Sequence, residues 1–150
     1  YINIPIETVD INKAIVIVRP YFASAGGATL YISVTRALGY LLNNNTLRLE
    51  RYSTGNYRQT KVFWEVVTFK DIKSLQKGQQ VVYTTRDTDI SISSVDLNKS
   101  LIFFSLKTQS SKTGATSNVA GVSLTNSTTL TVSHLFDAET VIQWYVVEFY

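Results

Sequence analysis

The chain has 150 residues, of which 45% are apolar and 12% aromatic, so it can form a packed core and lacks the composition of a disordered protein. The net charge of +3 is small, and the basic residues form no continuous stripe along the sequence. We therefore expect no nucleic-acid partner. Cysteine is absent, which excludes a disulfide framework and thiolate chemistry. No apolar run approaches the about 18 residues of a membrane helix, so we expect no membrane insertion.

In chain order, the first part of the sequence predicts strands and turns. The 42 Ser, Thr and Asn residues, together with many β-branched and aromatic residues, favour this structure over helices. An alternating segment at Ile4 and Ile6 is followed by Val9–Val18, which becomes apolar on both faces, as in a central strand. Asn43–Asn45 predicts a turn, and Val62–Phe69 predicts a closing strand. Residues 34–43 allow a short turn of helix.

The next segment, residues 70–87, connects two similar parts of the chain. A turn is predicted at Lys77-Gly78, and a further strand is predicted from Gln79 to Thr85. After this connection, the pattern of the first part returns. An alternating segment at Ile90 and Ile92 again precedes an Asp-containing segment and a longer apolar strand.

Three landmarks of the first part recur in the same order in the second. They are VDINKAIVIV (9–18) with VDLNKSLIFF (95–104), NNNTLRLER (43–51) with NSTTLTVSH (126–134), and VFWEVVTF (62–69) with IQWYVVEF (142–149). The second copies follow the first by 86, 83 and 80 residues, as short loop deletions would produce. We interpret this pattern as an internal duplication.

The sequence therefore predicts an all-β chain of two tandem antiparallel β-sandwich modules. Module 1 is expected at residues 1–70 and module 2 at residues 88–150, with a connecting segment at 71–87 that holds one strand. Modules of about 60–75 residues bury only about 60% of their unfolded surface and are marginally stable alone. We expect the two modules to pack together and to gain stability from neighbouring subunits, in a homo-oligomer or array.

The closing strands carry the largest predicted core residues, Trp64 and Trp144. The opposite face of each closing strand is also apolar: Phe63, Val67 and Phe69 in the first, and Tyr145, Val147 and Phe149 in the second. A face of this composition is too apolar for open water along its whole length. Three coverings are possible for it: a loop, the other module or a neighbouring chain.

The segments IKSLQKGQ (72–79), VDLNKS (95–100) and IQWYVVEF (142–149) resemble small β modules in structural proteins of tailed bacteriophages. In those modules, a segment like V-Q-R-G leads into an alternating strand, a V-D-x-x-K-S landmark and a terminal W-x-V-V-E-F strand. The second copy matches all three landmarks over about 80 residues. The first copy matches the last two, and its Gln-Lys-Gly equivalent would lie before Tyr1. It departs from the pattern at Ala14, where the pattern has Ser, and at Thr68, where it has Glu.

Few residues are candidates for catalysis or metal binding. The single histidine, His134, corresponds to Arg51 in the first copy and is predicted to face solvent. The carboxylate pairs Asp87/Asp89 and Asp137/Glu139 are explained more simply by turns than by glycoside hydrolysis. We therefore expect no catalytic, cofactor or metal site and no enzymatic activity.

An aspartate recurs in both copies, three residues before a lysine: Asp10 before Lys13, and Asp96 before Lys99. This repetition has two interpretations. The functional one is a repeated ligand site. The structural one, which we favour, is an aspartate that caps a turn and pairs with the lysine where the strand bends.

The best candidate for a contact surface is the loop RYSTGNYRQTK, which interleaves aromatic and basic residues and lacks a counterpart of this form in the second copy. Its candidate contact residues are Arg51, Tyr52, Tyr57, Arg58 and Lys61. Such side chains are typical anchors of binding interfaces. A mobile hairpin tip is an equally weighted interpretation of the same segment.

The resemblance implies a virion component, and the function that we expect is a non-enzymatic capsid decoration or cement protein. Its partners would be phage capsid or tail proteins. The alternative is a tail fibre or spike module that binds a host-surface receptor or glycan. A carbohydrate-binding β-sandwich from another source is a third possibility, for which only the Tyr52/Tyr57 loop offers an aromatic platform.

Overall fold

A computed structural model describes residues 1–21, 36–51, 61–83, 87–108, 120–134 and 139–150 of the chain. The described residues form an all-β structure in which every strand pairing is antiparallel. The strands are β1 (Ile2–Pro5), β2 (Ala14–Tyr21), β3 (Leu38–Asn43), β4 (Thr46–Glu50), β5 (Lys61–Thr68), β6 (Ser74–Val82), β7 (Thr88–Ser91), β8 (Ser100–Thr108), β9 (Ala120–Asn126), β10 (Thr129–His134) and β11 (Thr140–Glu148). A short 3₁₀ helix, Leu97–Lys99, precedes β8.

Strands β1 to β5, here called the N-terminal half, form two small sheets. One has the order β1-β4-β3 and the other pairs β2 with β5. In the first sheet Ile4 lies opposite Leu47, and in the second Val18 lies opposite Trp64. A cluster of buried side chains that includes Val16 and Leu47 lies between the two sheets, with Trp64 packed against it. The apolar faces predicted from the alternation of these strands are the faces that meet.

Strands β6 to β11, here called the C-terminal half, form two three-stranded sheets. Their orders are β7-β10-β9 and β6-β11-β8. Ile90 lies opposite Leu130, and Phe104 lies opposite Trp144. A second core cluster joins these sheets and contains Leu130, Ile142 and Trp144. The strand orders β1-β4-β3 and β7-β10-β9 are alike, and β2-β5 has the same pairing as β8-β11.

The turns of the two halves also have the same hydrogen bonds. The Asp10 carboxylate accepts from Asn12 N at 2.9 Å, and the Asp96 carboxylate accepts from Asn98 N at 2.9 Å. The predicted capping of both turns by an aspartate is therefore confirmed. The predicted pairing with the lysine side chain is not found, since the ion pairs among the described residues include neither Asp10 with Lys13 nor Asp96 with Lys99. The lysines of these turns join them through their backbone N–H groups, which donate to the Asp10 and Asp96 carbonyls at 3.0 and 3.1 Å.

A third core cluster lies between the N-terminal and C-terminal halves. It contains Ile15 of β2 with Tyr145 and Val147 of β11, all nearly or fully buried. The Phe69 and Phe149 rings meet edge to face beside it, with centroids 5.9 Å apart. Of the three possible coverings for the second apolar face of the closing strands, the other half of the same chain is the one found for Tyr145 and Val147.

Strand β6 corrects two predictions about the connecting segment. The strand runs from Ser74 to Val82, where we expected residues 79–85, and Lys77-Gly78 lies in its middle, so the predicted turn there is wrong. Gly78 is instead required by packing. A Cβ atom on Gly78 would lie 2.7 Å from Cζ2 of the Trp144 ring, closer than non-bonded carbon atoms can approach. The glycine that suggested a turn is a site of close approach to the strand beside it.

The prediction of a helical turn at residues 34–43 is also wrong over the part that the structure describes. Leu38–Asn43 is strand β3, which pairs with β4. Leu38 and Gly39 are buried, so the segment has contacts on both faces, and its tertiary packing determines its conformation.

Candidate functional site

The most buried carboxylate on the described strands, Glu148, lies at the end of β11. Only 2% of its surface is exposed. Its carboxylate accepts hydrogen bonds from Lys73 Nζ at 2.8 Å, from Asp96 N at 2.9 Å and from Ser74 Oγ at 3.2 Å. A buried carboxylate with three donors is stabilised in its ionised form.

These hydrogen bonds also determine the charge state of the pair. The hydrogen bond from Lys73 and that from Asp96 N hold the pKa of Glu148 below its ordinary value. The hydrogen bond to Glu148 raises the pKa of Lys73. The pair is therefore fully ionised near neutral pH, and it joins the start of β6, the turn before β8 and the end of β11.

A second polar cluster surrounds Glu50, at the contact between the two halves. Lys107 of β8 and Tyr40 of β3 both donate to the Glu50 carboxylate, the tyrosine at 2.6 Å, and Arg48 lies 3.9 Å away. Burial alone would raise the pKa of Glu50, but the hydrogen bonds and the two cations outweigh it and leave the pKa lowered. Nearby, Ser105 Oγ accepts from Gly39 N at 3.1 Å.

Of the predicted pair Asp87/Asp89, Asp87 is exposed, and Asp89 has a partner on the neighbouring strand. The Asp89 carboxylate accepts from Thr131 Oγ1 at 2.6 Å, across the β7–β10 pair. Asp137 lies outside the described residues, so the predicted Asp137/Glu139 pair has no geometry here. His134 ends β10, and the orientation of its side chain is not described.

An open groove of about 580 Å³ lies in the N-terminal half, beside Trp64. It runs between β1 and β5, and its apolar wall includes Ile4, Val62 and Trp64. Tyr1 also lines it, with 83% of its surface exposed and its ring 4.2 Å from the Arg48 guanidinium carbon. The groove therefore has a partly buried aromatic side chain, Trp64, in its wall and an exposed one, Tyr1, at its edge.

The predicted contact loop begins and ends at this groove. Arg51, directly after β4, and Lys61, the first residue of β5, both line it. Tyr52, Tyr57 and Arg58 lie outside the described residues. Of the two tryptophans predicted as core, Trp144 is buried, with 8% exposed, whereas Trp64 is only partly buried because it forms one wall of the groove.

Sequence analysis missed Glu148 and the groove. The sequence did contain an indication of the Glu148 cluster, because Glu148 is a single carboxylate within the apolar run VVEF. A carboxylate in a buried strand needs hydrogen-bond partners. No local sequence pattern indicated the groove, because it lies between β1 and β5, which are far apart in the sequence.

Within the described ranges, no group of three or more His, Cys, Asp or Glu side chains is placed to hold a metal ion. No helix in the described part of the chain has the length and apolar character needed to span a membrane. Comparison with protein-family models, with curated protein sequences and with solved structures found no match.

Proposed function

We propose that this protein is a non-enzymatic structural component of a bacteriophage virion, and that it decorates or cements the capsid shell. In this role, affinity comes from many weak contacts repeated over a symmetric lattice. Phage capsid proteins and further copies of the chain are its partners.

The observation that carries the proposal is the convergence of three segments on Glu148. Lys73 and Ser74 belong to IKSLQKGQ, Asp96 belongs to VDLNKS, and Glu148 belongs to IQWYVVEF. These are the three segments by which the chain resembles β modules of tailed-phage structural proteins. Their contact supports the view that the resemblance follows one structural unit, since scattered chance matches would have no reason to meet.

The chain is also proposed to be an internal duplication of one β-sandwich module. Two equivalent pairings support this proposal: Ile4 with Leu47 matches Ile90 with Leu130, and Val18 with Trp64 matches Phe104 with Trp144. These pairs have the sequence offsets of the landmarks. A repeated module is well suited to an array, because it offers similar surfaces twice in each chain.

The test uses phage capsids that lack the protein. The purified chain is mixed with these shells, and the mixture is imaged by electron microscopy after unbound protein is removed. A decoration protein gives ordered density at symmetry-related positions on the shell. Shells that remain bare at saturating protein concentration would contradict the proposed role.

The alternative is a tail fibre or spike module that binds a host-surface receptor or glycan. It is supported by the groove beside Trp64, which is lined by Tyr1, Arg51 and Lys61, since aromatic and basic side chains are common in such contacts. The same protein is then tested on host cells and on glycan arrays. Bare shells together with saturable cell or glycan binding would favour this alternative.

A further inference from the structure

The contact between the two halves contains a cleft of about 190 Å³. Its floor is formed by two neighbouring cross-strand pairs of β6 and β11. In the first pair, Lys77 lies opposite Tyr145. In the second, Gln79 lies opposite Gln143. The opposite wall belongs to the N-terminal half and includes Tyr40 of β3. The cleft therefore depends on the packing of the two halves against each other.

The Gln143 carboxamide in this cleft has unused hydrogen-bonding capacity. Only 5% of the residue is exposed. Its Nε2 donates to Trp144 O over a long 3.3 Å, and no donor among the described residues reaches its Oε1. Gln79, opposite it on β6, has no side-chain hydrogen bond to any described residue. A buried amide without partners costs free energy, so a molecule that brings hydroxyl groups into the cleft is stabilised by these two side chains.

Lys77 supplies a positive charge at the accessible edge of the cleft. Its Nζ donates to Ile11 O of the N-terminal half, and its other ammonium protons remain available to an acceptor. The ion pairs among the described residues do not include Lys77. Burial lowers the pKa of Lys77, and the charge of Asp10 opposes this change only in part. A cation that is partly removed from water, with no carboxylate in contact, favours an anion beside it.

The volume and the walls of the cleft indicate the size of the molecule that it can hold. A cavity of about 150 Å³ holds a benzene ring, so a cleft of about 190 Å³ accommodates a six-membered ring with several small substituents. Tyr145 and Leu41 add apolar surface between the polar groups, a combination typical of sites for small molecules. On the far wall, the Tyr40 hydroxyl donates to Glu50, whose charge is compensated by Lys107.

We propose that this cleft binds a sugar acid, a six-membered ring that carries one carboxylate and several hydroxyl groups. The carboxylate pairs with Lys77, and the hydroxyl groups pair with the carboxamides of Gln79 and Gln143. The ring lies on Tyr145. A free sugar acid and the terminal unit of an acidic glycan share this chemistry. The site rests on the cleft between the halves and not on the virion role, so either proposal can fail alone.

The probe for this site is glucuronate, compared with two molecules that each lack one of its features. Glucose lacks the carboxylate, and cyclohexanecarboxylate lacks the hydroxyl groups. Each is titrated into the isotope-labelled protein, and the backbone and side-chain amide signals are followed by NMR. We expect glucuronate to shift the side-chain signals of Gln79 and Gln143 saturably, with a dissociation constant of about 1 mM, as is usual for a ligand of this size. The other two molecules should bind about tenfold more weakly, or less.

Methyl glucuronide separates the two sources of the ligand. It should bind as tightly as glucuronate if the cleft takes the terminal unit of a glycan, because the glycosidic bond then leaves the site. Weaker binding of the methyl glycoside than of glucuronate would assign the cleft to the free acid.

Two variants assign the contacts within the cleft. Lys77→Met removes the charge and should abolish the preference for glucuronate over glucose. Gln143→Leu replaces the carboxamide by an apolar group of similar size and should reduce the preference for glucuronate over cyclohexanecarboxylate. Lys70→Met changes an exposed lysine that does not line the cleft, so it is the matched control and should keep both preferences. A general loss of stability would not change one preference and leave the other.

Three results would overturn the proposal. The first is the absence of saturable shifts with glucuronate in protein whose dispersed amide spectrum shows that it is folded, which would mean that water alone fills the cleft. The second is a set of shifts that lies outside β3, β6 and β11. The third is binding of glucose or cyclohexanecarboxylate as tight as that of glucuronate, which would show that the charge or the carboxamides do not select the ligand.

Discussion

At the scale of single residues, Gly78 of β6 has no side chain, which leaves room for the Trp144 ring of the neighbouring strand β11. Gly78→Ala places a Cβ atom 2.7 Å from Trp144 Cζ2. We expect this variant to be destabilised by about 1–3 kcal/mol, the usual cost of overpacking a core. The free energy of unfolding, measured by urea denaturation, tests this expectation.

Gly121 provides the matched control, because a Cβ atom there would have nothing within 4 Å. Gly121→Ala restricts the unfolded chain without a collision in the folded one. It should leave stability unchanged or raise it by up to about 1 kcal/mol. Equal losses in the two variants would mean that the strands adapt to a side chain at Gly78 and that close packing with Trp144 is not required.

Glu148 makes the stability of the protein depend on pH. Its pKa is lowered in the folded state by the hydrogen bonds from Lys73 and Asp96 N, so below neutral pH the unfolded state binds more protons. The stabilisation is therefore present above the pKa of the unfolded state, about 4.3 for Glu, and is lost as the pH falls through the lower folded value. We expect Glu148→Gln to be less stable at pH 7 and to lose less stability than the wild type on acidification.

The measurement for Glu148 is the urea midpoint at several pH values between about 7 and 2. Glu65→Gln is the control, since it also removes one carboxylate, but from a surface pair with Arg19 in which both side chains are more than half exposed. Such pairs contribute little to stability. If Glu148→Gln and Glu65→Gln followed the same acid profile, the buried carboxylate would not be a source of the pH dependence.

At the scale of strands, the neighbour of a closing strand determines how deeply its tryptophan is buried. Trp144 lies on a strand with partners on both edges, and Trp64 lies on one whose described pairing is with β2 alone. We expect Trp64 to emit at longer wavelength and to be quenched more strongly by acrylamide than Trp144. Trp144→Ala should cost about 3–5 kcal/mol, and Trp64→Ala should cost less.

Single-tryptophan proteins separate the two signals. Trp64→Phe leaves Trp144 as the reporter, and Trp144→Phe leaves Trp64. Equal quenching of the two residues would contradict the open groove beside β5. Added ligand or partner protein must be absent during this measurement, because an occupied groove would protect Trp64.

Strand identity could be predicted where a segment is rich in β-branched and aromatic residues. Val62–Phe69 and Ile142–Phe149 have this composition, and they contain the greater part of β5 and β11. The Asp10 turn was also predictable, because an aspartate that accepts from its own backbone two residues ahead is a local feature. A hydrogen bond between residues two positions apart can be predicted from the sequence alone.

Features that depend on distant strands were not predictable. Gly78 suggested a turn because its packing against Trp144 comes from a residue 66 positions away in the sequence. The groove lies between β1 and β5, which are far apart in the sequence, and the covering of Tyr145 comes from Ile15 in the other half. In each of these cases the partner is chosen by the tertiary fold, which the local pattern does not determine.

At the scale of the whole molecule, the two halves are held together by both apolar and polar contacts. Ile15, Tyr145 and Val147 are buried between them, and Lys107 of one half donates to Glu50 of the other. Burial raises the pKa of Tyr145 well above its ordinary value, so this phenol stays neutral within the interface. Because each half alone is small for a stable domain, this interface is expected to contribute to the stability of both.

Two adjacent residues of β2 allow this coupling to be tested, because they face opposite sides of the strand. Ile15 packs into the cluster between the halves, and Val16 packs into the core within the N-terminal half. Wild-type protein should unfold in one transition, with Trp64 and Trp144 reporters giving the same midpoint. Ile15→Ala removes about 2–5 kcal/mol of packing from the interface, so the two midpoints should separate. Val16→Ala should instead lower both midpoints together, since the interface remains intact. Coincident midpoints in both variants would mean that the cluster around Ile15 does not determine the cooperativity of the chain.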